Sequence, residues 1–217
     1  MLLRRLCHLL LVRPLASLFM GLNVTGSDRL PKDGPAIIVA NHRSHADTIA
    51  LLSLFDTSTI HRVRAVAASD YFSRDRLLNF VASRCLGTLA LDRTARERGE
   101  DPLLPCLAAL DRGEILIVFP QGTRGQDGVR LPFKKGIAHL AERRPHVPII
   151  PVLLSGTEKV LPKGSVVPVP FRCDVGIGER FIHPATSREA FIAALERAVF
   201  DMQTPPAKRV STLRLVA

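Results

Sequence analysis

The chain has no tryptophan, a single tyrosine at Tyr71, and four cysteines in 217 residues. Flat side chains are too scarce to stack bases and are not interleaved with lysine or arginine, which argues against a nucleic-acid partner. Cys7, Cys85, Cys106 and Cys173 stand far apart in sequence. No pair has zinc-ligand spacing, and four are too few for a disulfide framework in a chain this long. A reducing, cytosolic-side location is expected. No Gly-x-Ser-x-Gly turn occurs, so a serine-nucleophile elbow is excluded. Internal repeats and low-complexity stretches are absent as well.

Long uncharged apolar runs are also missing. Residues 2–22 are mostly apolar, but Arg4, Arg5, Arg13 and Pro14 interrupt them, and a spanning helix needs about 20 predominantly apolar residues. A charged start before Leu6 to Val12 has the pattern of a signal peptide, without a clean small-x-small cleavage site. The expectation is an amphipathic helix over 1–22 lying on a membrane with its cationic face toward anionic headgroups. The alternative is a helix packed on the domain.

What the chain does have is positive charge, with 30 Lys and Arg against 20 Asp and Glu. The excess favours anionic partners such as an acidic membrane surface, phosphorylated substrates or acidic carrier proteins. Short apolar runs at 36–40, 63–68, 88–91, 115–119 and 149–154 read as strands. Segments 47–55, 71–84, 102–112 and 134–143 read as helices between them. This alternation predicts an α/β fold, a mainly parallel sheet flanked by helices. Residues 175–178 add a late strand, and 187–202 form a closing helix with Ser187 as its N-cap. The proline-punctuated stretch 162–170 reads as a loop or edge strand. One folded domain is expected over 23–203, followed by a basic tail over 204–217.

In parallel sheets, ligands sit beyond the carboxyl ends of the strands. Directly after 36–40 comes Asn41-His42-Arg43-Ser44-His45-Ala46-Asp47. An imidazole titrates near neutrality and takes a proton from a hydroxyl when a carboxylate holds its tautomer. His42 and Asp47 fit those roles, and a capping Asp47 with a loop-bound His42 fits equally well. His42, His45 and Asp47 are conceivable metal ligands, but all are local and no distant fourth ligand presents itself, so no metal is expected. His8, His61, His139, His146 and His183 read as surface or packing residues. After 115–118 comes Phe119-Pro120-Gln121-Gly122-Thr123-Arg124-Gly125, whose glycines, hydroxyl and guanidinium suit an anion. Gly87 to Arg93 ends in a charged pair that an exposed ion pair also explains.

Together these segments resemble the glycerolipid acyltransferase family. Residues 41–47 are similar to its Asn-His-x-Ser-x-x-Asp block, 87–93 to its second block, and 119–125 to its Phe-Pro-Glu-Gly-Thr-Arg-Ser block. Val147 to Val152 resembles the fourth, and Phe133-Lys134-Lys135-Gly136 a Phe-Lys-x-Gly stretch. The resemblance covers about residues 36–155. It implies acyl transfer from acyl-CoA or acyl carrier protein to a lysophospholipid such as 1-acylglycerol 3-phosphate, without a cofactor. His42 would be the general base and Asp47 its support. Arg93 and Arg124 would hold the acceptor phosphate, with Gln121 also a substrate-binding residue, Gly122 and Thr123 shaping the backbone, and Lys134 and Lys135 nearby or solvated. Gln121 stands where the family has glutamate, which leaves reaction type intact and puts acceptor choice or affinity in question. Another acceptor, such as a lyso-ornithine lipid, and a non-catalytic lipid-binding member are the competing readings.

Overall fold

The computed structural model describes residues 1–69, 79–92, 94–123, 130–162, 165, 167–184 and 186–202. The basic tail, Arg93, Arg124 and the first part of the 71–84 helix therefore lie outside the described residues. At its centre is β2 (Ala36–Ala40), whose residues are all fully buried. A run of Ala, Ile and Val without a polar side chain is what a strand covered on both faces requires. Around it are β1 (Met20–Thr25), β3 (Val63–Ala68), β4 (Leu89–Leu91), β5 (Ile115–Val118), β6 (Ile149–Ser155) and β7 (Phe171–Ile177). They form one seven-stranded sheet in the order β1-β7-β6-β2-β5-β3-β4. All neighbours are parallel except β6 and β7.

Strand alternation divides the core between two helical layers. Ile37, Val39, Leu116 and Ile149 face α4 (Leu104–Asp111), α5 (Gly136–Arg143) and α7 (Arg188–Phe200). Ile38, Ala40, Ile117 and Val152 face α3 (Ala46–Ser53) and Val12 of the N-terminal helix. A short α6 (Thr157–Val160) follows β6. Ser187 caps α7 as expected, its Oγ accepting from the Ala190 N–H at 3.2 Å. The sheet confirms the mainly parallel α/β architecture. β1 was not anticipated: Met20 to Leu22, read as the helix end, instead pair with Phe171 to Cys173 of the distant β7.

The N-terminal helix runs through α1 (Leu2–Cys7), a wider π-type turn (His8–Val12) and α2 (Arg13–Phe19). Its inner face is Arg4, His8, Val12 and Ala16, all buried at four-residue spacing. An α-helix advances about 3.6 residues per turn, so positions four apart drift around it. The wide middle turn cancels part of the drift. Arg4, expected on a cationic outer face, thus points inward. Arg5 and Arg13 remain exposed beside Leu2, Leu6, Leu10 and Leu18.

Arg4 has a structural task. Its guanidinium donates to the His61 carbonyl at 3.0 Å, the Leu86 carbonyl at 3.3 Å and the Val63 carbonyl. Burial, with Arg64 nearby, pulls its pKa down to about 10, which leaves it charged at neutral pH. His8 Nε2 lies 3.0 Å from the Phe55 carbonyl, and burial lowers its pKa, favouring the neutral ring. One turn from Arg4, the Cys7 and Cys85 thiols are neighbours, so sequence distance concealed a contact. Gly87 sits against Arg4 with φ of +68°, and a Cβ there would overlap the guanidinium. Gly87→Ala is expected to lower the unfolding free energy by about 2–4 kcal/mol in urea titration, from αL strain plus displaced hydrogen bonds. An unchanged midpoint would contradict this packing.

Candidate active site

β2 and β5 are parallel neighbours, Val39 lying opposite Val118. Their carboxyl ends therefore bring the His42 loop and the Phe119 turn side by side. β6 flanks β2 on its other side, so the site lies where the connections diverge, the usual ligand position in such sheets. Asn41 extends the ladder by side chain. Its amide donates to the Leu154 carbonyl at 2.9 Å and accepts from the Leu154 N–H at 2.7 Å.

His42 and Asp47 are brought together. His42 Nδ1 lies 2.9 Å from Asp47 Oδ2. An ionised carboxylate only accepts, so Nδ1 carries the proton and Nε2 presents its lone pair. The same Oδ2 accepts the Arg43 and Ser44 N–H groups at 2.7 and 2.9 Å. Asp47 is fully buried at the start of α3, while the His42 side chain keeps 18% exposure. The carboxylate orients the ring and ties down the loop backbone, but it does not cap α3, whose N-cap is His45 with no side-chain cap hydrogen bond. The His42 ring also stacks on Phe119, with centroids 4.4 Å apart and planes at 23°. Sequence reasoning missed that contact, although an aromatic residue opening the turn was a visible signal.

Gln121 is buried, with 4% exposure. Its Oε1 accepts the His42 backbone N–H at 2.6 Å, and its Nε2 donates to the Leu131 carbonyl at 3.3 Å. Gly122 adopts φ of +71°, and a Cβ there would lie 2.9 Å from Lys134 Nζ. Lys134 therefore crosses the turn directly over the glycine. Its neighbour Lys135 leaves the site and pairs with Glu189 at 3.1 Å. Thr123 is exposed beyond Gly122.

The remaining blocks are farther away. β4 lies three strands from β2 on the same sheet edge, about 14 Å at the usual strand spacing. Asp92, just after β4, is held by Arg98 at 2.6 Å and by Thr94, and these bonds lower its pKa to about 2. Val147 to Val152 serves mainly the core: Ile149, Ile150 and Val152 pair beside β2 and are buried. Burial pushes the thiols of Cys7, Cys106 and Cys173 up to about 11, 12 and 11. Those three are neutral at physiological pH and unsuited to nucleophilic attack.

A family model described as Acyltransferase matches residues 21–155. The chain belongs to the acyltransferase family. Residues 41–47, 87–93 and 119–125 all fall within the acyltransferase match. A chloroplastic 1-acyl-sn-glycerol-3-phosphate acyltransferase from Brassica napus is 32% identical over 148 residues, covering 68% of this chain and 41% of that protein. The 1-acyl-sn-glycerol-3-phosphate acyltransferase of Saccharomyces cerevisiae is 33% identical over 156 residues, covering 69% of this chain and 48% of its own. This chain thus spans less than half the length of either relative. The crystal structure of the 1-acyl-sn-glycerophosphate (LPA) acyltransferase PlsC from Thermotoga maritima superposes with a TM-score of 0.68. It is 27% identical and covers 91% of this chain and 78% of its own.

Within this candidate site, Asp47 also carries local stability. Asp47→Ala strips the acceptor from two backbone N–H groups and is expected to cost about 2–4 kcal/mol in chemical unfolding. A loss under about 0.5 kcal/mol would mean that water or another side chain replaces the carboxylate.

Proposed function

We propose that this protein is an O-acyltransferase that moves a fatty acyl group from an acyl thioester to the free hydroxyl of 1-acylglycerol 3-phosphate, giving phosphatidic acid for phospholipid synthesis. The thioester is that of acyl-CoA or acyl carrier protein. The observation that carries this reading is the 2.9 Å contact between His42 Nδ1 and Asp47, placed beside the Phe119 turn. His42 Nε2 takes the hydroxyl proton as the acceptor oxygen attacks the thioester carbonyl. Asp47 stabilises the imidazolium that forms. The tetrahedral intermediate then expels the thiolate, the C–S bond breaks, and the imidazolium returns its proton to sulfur. No cofactor enters, because the thioester is already activated.

Arg93 and Arg124 bind the acceptor phosphate, with Gly122 and Thr123 shaping its pocket. The Lys134 ammonium beside Gly122 supports an anionic acceptor at this end of the site. The chain works on the cytoplasmic face of a membrane. Exposed Leu2, Leu6, Leu10 and Leu18, with Arg5 and Arg13 among them, suit an anionic lipid surface. Among the described residues, no helix is long and apolar enough to cross a membrane.

His42→Ala is expected to reduce acyl transfer from acyl-CoA to 1-acylglycerol 3-phosphate by about 10²–10⁴-fold while circular dichroism stays that of the parent. A near-parental rate would remove His42 from the mechanism. Stronger turnover of phosphate-free lysolipids by the parent would move the acceptor assignment instead. The double variant Leu2→Ser, Leu10→Ser is expected to weaken co-sedimentation with anionic vesicles by about tenfold or more. Unaltered partition would place the membrane contact elsewhere.

A further inference from the structure

We infer that Gln121 is a positioning residue that joins the backbone of the base to the root of the acceptor-binding segment, and does not itself touch substrate. The inference rests on the acyl-transfer reading for its kinetic consequences. Both ends of the amide are occupied within the protein: Oε1 by the His42 N–H at 2.6 Å, Nε2 by the Leu131 carbonyl at 3.3 Å. With 4% exposure, little of the residue is open to a ligand. Gln121 and Leu131 stand ten positions apart in the chain, and the amide joins them directly. A second rung reinforces the link, the Lys134 N–H donating to the Pro120 carbonyl at 2.9 Å.

The chemistry of this pairing asks for an amide. One end must accept and the other must donate, which glutamine does and an ionised carboxylate does not. A glutamate at 121 would still accept from His42, but it would set a buried anion against the lone pairs of the Leu131 carbonyl. The departure from the family's glutamate is therefore matched by its surroundings. It fixes the places of His42 and Leu131, and leaves discrimination between acceptors to other groups.

Gln121→Glu and Gln121→Met in the full chain separate these tasks. In backbone amide exchange, the glutamate variant is expected to keep parental protection at His42 and lose about three- to tenfold around residues 130–135, as one hydrogen bond is lost. The methionine variant should lose protection at both. With acyl-CoA as donor, the glutamate variant should raise the acceptor KM about three- to tenfold with kcat within about threefold. Its ratio of kcat/KM between 1-acylglycerol 3-phosphate and monoacylglycerol should match the parent's. The methionine variant should also lower kcat by about tenfold. Parental exchange in both variants, or a glutamate variant whose acceptor ratio moves more than about tenfold, would overturn the inference. Should the parent transfer no acyl group to any acceptor, the functional reading fails while the exchange measurement still decides the place of Gln121.

Discussion

Much of this structure follows from one constraint: backbone groups leaving a wholly buried strand must find partners away from water. β2 has neighbours on both sides and helices on both faces, so its exit at Asn41 begins deep in the protein. Three side chains supply the missing partners. Asn41 binds Leu154 on β6, Asp47 binds the Arg43 and Ser44 N–H groups, and Gln121 binds the His42 N–H. The loop is thereby fixed from three directions. An imidazole mounted on it has an orientation set by the protein alone.

The sequence made the core architecture and the His42–Asp47 pair legible because both are local patterns. Apolar runs of strand length recur between helical segments, and five positions separate the histidine from its carboxylate. What stayed hidden depended on distant partners. β1 was invisible because its register is set by β7, some 150 residues later. Gln121 read as a substrate contact because its family position implied one, and its bonds to His42 and Leu131 appear only once the chain is folded. Lys134 and Lys135 are indistinguishable in sequence, yet one crosses Gly122 and the other pairs with Glu189.

The N-terminal helix shows a related difficulty. Arginine in an apolar segment reads as a surface charge, since burying an unpaired ion is costly. Arg4 is nevertheless inside, because carbonyls at the ends of neighbouring elements need donors and a guanidinium offers several in a fixed fork. That placement gives the helix two unlike faces. The inner one is polar at its start and specific, and the outer one is leucine-rich and indifferent to sequence detail.

The partnership of β1 with β7 has a consequence for how the chain is made. Among the described residues β1 pairs with β7 alone, so it has no neighbour in the sheet until residues 171–177 have been synthesised. At several residues per second, that is a wait of about 10–30 s. The helix before β1 docks earlier, because its partners Phe55, His61, Val63 and Leu86 come far sooner in the chain. Pairing at the β1 edge of the sheet is thus a late event, while the helix that leads into it is placed early.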